Sequence, residues 1–162
     1  MASARTDRNG HSLDPVPVAC GECGSPARAV TGDQIDPARR DLRNKRFYLC
    51  DGCGAKVGCH EGTWQPFGTP ALEHTRMMRR KAHSHFDPIW KAIRAADQHR
   101  PASDPRRQIH ARDRGYQWLS KQLGIPIERC HIGMMGAEDA RRVVDLCGPQ
   151  LQKMGVRPER QK

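Results

Sequence analysis

Aromatic residues are scarce in this chain: three tryptophans, two tyrosines and three phenylalanines, 5% of 162 residues. Hydrophobic residues reach only 36%. So little apolar material excludes a large core and predicts one modest domain or two small subdomains, helped by a metal staple. No apolar run approaches the ~18 residues of a membrane helix, so no membrane partner is expected. The N-terminal "MASARTDRNGHSLDP" has no apolar stretch of the kind a secretory signal needs. These features predict a cytoplasmic chain whose cysteines stay reduced, which favours metal binding over disulfides.

Acidic residues are also in deficit. Eighteen stand against 28 basic ones, a formal net charge of +10. Such a balance favours polyanionic partners, DNA or RNA, with an acidic protein surface as the alternative. A solvated arginine-rich surface would give the same count.

Cysteine is the residue present in excess, with seven copies. Four form two pairs, Cys20-x2-Cys23 in "CGECGS" and Cys50-x2-Cys53 in "CDGCGA". Two such glycine-containing turns can direct four thiolates at one tetrahedral, structural Zn²⁺. Glycine after the second cysteine lets backbone amides turn towards the sulfurs. Cys59 and His60 lie beyond the second turn. Cys59 is expected to pack as a small apolar residue and His60 to face a ligand or a neighbouring group. Substitution of one of them for a ligand of the four is the alternative.

Around these turns the predicted elements are few. "RFYLC", Arg46–Cys50, is the best strand, and "ARAV" (Ala27–Val30) a second. "TGDQIDPARRDLRNK" reads as a loop. Thr69 and Pro70 predict the cap and first residue of a helix with Ala71, Thr75, Met78 and Ala82 inward. Asp87 and Pro88 repeat the signal for a second helix, with Ile89, Ile93 and Ala96 inward. A third is predicted from Pro105 to Leu123, ended by Gly124, with Ile109, Tyr116, Leu119 and Leu123 buried. A fourth runs over residues 137–151 with Ala140, Val143, Val144, Cys147 and Leu151 inward. The predicted architecture is α+β: a small antiparallel four-cysteine zinc ribbon (18–64) packed with about four helices (65–154), between flexible tails (1–17 and 155–162).

Several motifs occur in a fixed order: "CGECGSPA", "LCDGCGAKVGCHEGTWQPFGTPA", "RMMRRKAHSHFDPIW", "YQWLSKQLGI" and "CHIGMM". Together they resemble a family of small bacterial and phage or prophage zinc-finger-containing proteins of unknown function, from about Val18 to Cys147. The resemblance implies zinc at Cys20, Cys23, Cys50 and Cys53. It marks Gly58, Cys59, His60, Arg76, Arg79, His83, Phe86, Asp87, Trp90, Trp118 and His131 as pattern positions and implies no activity.

The candidate contact residues follow. Arg76, Arg79, Arg80 and His83 recur at helical spacing and predict a basic face that could bridge phosphates. Trp118 could stack on a base, and His60 and His131 could meet a ligand. The function expected is non-enzymatic binding of nucleic acid or of a nucleic-acid-processing complex. The alternatives are a phage-type factor that binds an acidic host protein, or a metal-dependent nuclease using His60, His83, Asp87 or His131. Against the nuclease, the sequence has no carboxylate cluster for Mg²⁺, and four thiolates leave zinc no open position. Cys130, His131 and Cys147 could hold a second metal, but Cys147 falls on an apolar stripe, which favours the core.

Overall fold

The alternation in "RFYLC" becomes strand β3 (Arg46–Leu49), the centre of a small antiparallel sheet. Its neighbours are β2 (Pro26–Thr31) and β4 (Lys56–Gly58), with β1 (Val18–Ala19) beyond β2, giving the order β1-β2-β3-β4. Val30 pairs with Phe47, and Tyr48 with both Ala29 and Val57. This computed structural model describes residues 5–160. They fall into two units, Met1–Glu73 and His74–Lys162. The first holds the sheet and both cysteine turns.

The charged segment after β2 is more ordered than the expected loop. It contains a one-turn helix, α1 (Gly32–Ile35), and a 3-10 turn at Arg40–Leu42. The Thr31 amide donates to the Gln34 side chain, half of a capping box. Gly32 is required there: a Cβ would lie 1.8 Å from the Leu42 carbonyl oxygen.

Residues 5–17, expected as a flexible tail, lie against the sheet, while Met1–Ala4 fall outside the described residues. Asp7 accepts the amides of Asn9 and His11, folding a tight turn. The Tyr48 hydroxyl then ties three segments together. It accepts from the Val16 amide at 2.9 Å and donates to the Trp64 carbonyl at 3.2 Å. The Trp64 amide in turn donates to the Ser12 carbonyl.

The helical unit contains α2 (Glu73–Ala96), α3 (Pro105–Leu123) and α4 (Ala137–Met154). α3 has the predicted ends. The Asp104 carboxylate caps the Arg106 amide, Pro105 opens the first turn, and Gly124 takes the left-handed conformation at φ 66°. Phe86, Leu119, Ile132, Val143, Cys147 and Leu151 are fully buried in its core. Burying each large side chain of this set contributes about 1.5–3 kcal/mol. Ile109 and Val144, expected inside, are exposed and half-buried respectively. Ala111 takes the inward position instead.

The two helices expected at 69–86 and from Asp87 are one. Thr69 and Pro70 start no helix, because the chain there straps over the first cysteine turn. The Pro70 carbonyl accepts the Gly21 amide at 3.0 Å, and Ala71 pairs with Lys56. Pro88 starts no helix either and lies inside α2. It removes the donor that would have met the carbonyl four residues earlier, that of Ser84. The Glu159 amide fills this vacancy at 2.9 Å, and its carboxylate pairs with Lys91. Residues 155–160, expected to be loose, are thus pinned at one point. Among the described residues, no helix is long and apolar enough to cross a membrane.

Candidate metal centre and flanking cleft

The two cysteine turns have the same backbone. The Cys20 amide donates to the Ser25 carbonyl, and the Cys50 amide to the Ala55 carbonyl, both at 2.8 Å. Gly24 and Gly54 adopt φ near +74° and +75°, and their amides return to the carbonyls of Cys20 and Cys50. A side chain at either position would strain the turn. The Glu22 amide points at the Cys20 sulfur, 3.4 Å away, as expected for an amide that spreads thiolate charge.

The four sulfurs of Cys20, Cys23, Cys50 and Cys53 lie within 4.8 Å of one another. Cys20 and Cys53 approach to 3.6 Å, and Cys23 and Cys50 to 3.5 Å. A tetrahedral ion with Zn–S bonds of about 2.3 Å sets its sulfurs about 3.8 Å apart. The donor set therefore fits zinc in both hardness and spacing. Cys20 and Cys50 are buried, Cys53 is partly covered and Cys23 is exposed. The Ser25 hydroxyl and amide lower the Cys23 thiol to about 6. The Ala55 amide pulls Cys53 the same way, but burial and the other sulfurs push it up to about 12. Successive ionisations of such a cluster need a compensating cation, which a divalent ion supplies.

The remaining cysteines stand apart from this centre. Cys59 is pushed up to about 11 by burial. Cys130 is raised by burial and by Asp139, and Cys147 to about 12 by burial alone; both lie in the helical core. Among the described residues, the four-cysteine group is the one cluster of three or more metal-donor side chains. Neither Cys59 with His60 nor Cys130 with His131 and Cys147 makes another.

His60 lies in a cleft of about 510 Å³ beside the sheet, lined also by Arg40, Lys45, Arg46, Cys59 and Phe67. Its ring stacks on His11 at 4.3 Å and meets Phe67 at 4.4 Å. Burial, then the neighbouring His11, lowers the His60 pKa, so the ring is neutral near pH 7. Phe67 is 56% exposed. Arg46 is anchored by a bond to the Gly62 carbonyl and lies over the Trp64 ring. Asp41 also borders the cleft, paired with Arg39. His11 and Phe67 were missed in the sequence, although a phenylalanine between proline and glycine in "QPFG" is a loop residue with no predicted core to join.

The expected basic helix face is only partly formed. Arg80 is exposed and Arg76 half-buried. Arg79 is 8% exposed, and its Nε donates to the Met135 carbonyl at 2.7 Å. The buried row of α2 runs through Thr75, Arg79, Ala82 and Phe86, one position round from the expected stripe, which draws Arg79 inward. His83 is half-buried, with Nδ1 3.4 Å from the Asp87 carboxylate. Asp87, expected as a helix cap, instead accepts from Trp90 Nε1 at 3.0 Å. Trp118 borders an apolar groove with Ile89, Ile93 and Met154. His131 stacks on Tyr116, ring centres 5.2 Å apart and nearly parallel.

The antiparallel sheet, the paired glycine turns and the four-thiolate cluster define a zinc protein of α+β architecture, with one structural Zn²⁺ held by Cys20, Cys23, Cys50 and Cys53. The chain belongs to the DUF3268 family of zinc-finger-containing domains, whose profile matches residues 16–149. Comparison with curated proteins and with solved structures gave no match.

Proposed function

We propose that the protein binds single-stranded nucleic acid, without catalysis, through the cleft beside the zinc-bearing sheet. The observation that carries this reading is the exposed Phe67 ring next to neutral His60, in a cleft also lined by Arg40, Lys45 and Arg46. Stacking platforms beside cations are the chemistry that holds unpaired bases and their phosphates. A concave site of this size suits a splayed base better than a duplex face. The net charge of +10 supports the same class of partner. The zinc contributes rigidity: it fixes the turns that flank β2, β3 and β4, the strands from which the cleft residues extend.

Fluorescence anisotropy with labelled DNA and RNA oligonucleotides over a salt series tests this. The slope of log K against log salt should be about −0.7 per neutralised phosphate. Phe67→Ala should weaken binding by the ~1–3 kcal/mol of one stacked base, with the slope unchanged. Arg40→Gln should instead reduce the slope magnitude by about 0.7. Absence of binding to either polymer at low salt would overturn the proposal and bring an acidic protein partner forward.

A further inference from the structure

The charge excess is not spread over the chain. Nineteen of the 28 basic residues and nine of the 18 acidic ones fall within His74–Lys162, so the helical unit carries the whole +10. Residues 1–73 hold nine of each sign. On the helical unit lies a groove of about 470 Å³ that neither the zinc nor the proposed cleft uses. Its floor is apolar and comes from three helices: Ile89 and Ile93 of α2, Trp118 of α3 and Met154 of α4. Trp118 is the odd member of this floor. Trp90 is buried and gives its indole N–H to Asp87, and Trp64 meets Tyr48 and Arg46. Trp118 stays half-buried at the edge of the core, with no ring partner and no side-chain hydrogen bond among the described residues. Ile93 and Met154 are half-buried on the same core. The core thus ends in a step of apolar side chains that its own helices do not cover.

The free charges around this floor are of one sign. Arg114 lines it, one turn before Trp118 on α3. Lys121 lies two turns beyond Arg114 on the same helical row, and Lys153 adjoins Met154 on α4. All three are exposed, and none has an ion-pair partner among the described residues. The carboxylates nearest in sequence to the lining are turned to other surroundings. Asp97 accepts the His99 amide, Asp113 lines the recess beside Tyr116 and His131, and Glu159 pairs with Lys91.

We propose that this groove docks an acidic amphipathic helix of a partner protein, its apolar ridge on Ile93, Trp118 and Met154 and its carboxylates at Arg114, Lys121 and Lys153. A helix with apolar residues at i, i+3, i+4 and i+7 supplies a ridge for such a floor, and acidic flanks supply the opposite charge. Tryptophan and arginine, both present here, are among the residue types that most often dominate contacts of this kind. A second copy of the chain would bring a like-charged unit against the same rim, which is repulsive. A nucleic-acid strand would satisfy the rim and leave the aliphatic floor uncovered. The groove shares no residue with the cleft around Phe67, and either reading can fail alone.

The probe is a synthetic helical peptide with leucine on one face and glutamate on the other, labelled for fluorescence anisotropy. It is titrated into the full-length zinc-loaded protein, and the Trp118 indole signal is followed by NMR. The expected result is saturable binding that shifts this signal and weakens as salt is added. A scrambled peptide of the same composition should bind about tenfold more weakly or worse, and so should a peptide with lysine in place of glutamate. Trp118→Ala should weaken the complex about tenfold or more. Arg114→Glu changes an exposed side chain and leaves the core intact, so it carries the test even where Trp118→Ala fails to fold. It should weaken the complex to a similar extent and flatten the salt dependence. No saturable binding, equal binding of the scrambled or lysine peptide, or undiminished affinity in Arg114→Glu would each overturn the proposal. A Trp118 signal that moves with a single-stranded oligonucleotide, or with protein concentration alone, and not with the peptide would also overturn it. The groove would then belong to nucleic acid or to a second copy of the chain.

Discussion

Replacing Gly115 by alanine pits two quantities of opposite sign against each other. Gly115 lies inside α3, where alanine is intrinsically better by about 0.8–1.0 kcal/mol. Read as a helix alone, the change should stabilise. The neighbours say otherwise: the new Cβ would lie 2.8 Å from Trp90 Cβ and 3.2 Å from Phe86 Cζ. Ordinary carbon contacts are about 3.5–4.0 Å, so the methyl overlaps the root of the Trp90 side chain by roughly 1 Å. That atom sits on the backbone of α2 and cannot swing away as a side-chain tip would. Overpacking of this kind costs about 1–3 kcal/mol, and more where the backbone must move. The expected net effect is a loss of about 1–2 kcal/mol. For a unit of this size, each kcal/mol corresponds to roughly 4–8 °C in the melting of the helices. Thermal unfolding followed by far-UV circular dichroism reads this directly. Zinc content serves as the internal control, because the cysteine turns lie in the other unit and should keep their metal. A Gly115→Ala protein whose helices melt at the same or a higher temperature would refute the close approach of α2 and α3 at Trp90.

Two further outcomes follow from the sites already described. Cys53→Ser should lose zinc and the order of the cysteine turns, whereas Cys59→Ser should retain both, as elemental analysis of protein purified without added metal would show; equal loss would make Cys59 a ligand. Asp87 supplies a pH dependence. Burial alone would raise its carboxyl, but the His83 and Trp90 bonds outweigh it and hold the group below its ordinary value. A depressed carboxyl stabilises above its unfolded pKa of about 3.9, and that contribution is lost as pH falls through the folded value. Denaturant midpoints measured from pH 6 down to pH 2 should therefore fall less steeply for Asp87→Asn than for the native chain.

The zinc site was legible because everything it needs is local. Two cysteines and a glycine within five residues specify a knuckle, and two such knuckles have one sensible use. The ends of α3 were legible for the same reason, since Pro105 and Gly124 act on adjacent backbone, although the Asp104 cap was not read. The break expected at Pro88 failed for a non-local reason. The carbonyl that proline orphans is satisfied by Glu159, from the far end of the chain, and no local pattern encodes that. Thr69 and Pro70 failed likewise, because the first cysteine turn captures their backbone before a helix can. Arg79 shows the limit of periodicity. Helical spacing groups it with Arg76 and Arg80, but the Met135 carbonyl inside the fold gives a guanidinium a reason to turn inward. Tyr116 was assigned to the core correctly, because its place on the apolar stripe of α3 is again a matter of local spacing.

The family profile begins at residue 16, yet the ring that covers one side of His60 belongs to His11. The stacking wall of the cleft is therefore assembled from the shared domain and from a short leader outside it. A fragment trimmed to the domain boundary would keep all four zinc ligands and would lose that wall, together with the Ser12 carbonyl that receives the Trp64 amide. Metal content would certify such a fragment as intact although one wall of the proposed cleft was gone. The proposed cleft of this chain therefore depends on residues that precede the shared domain, while the metal centre does not.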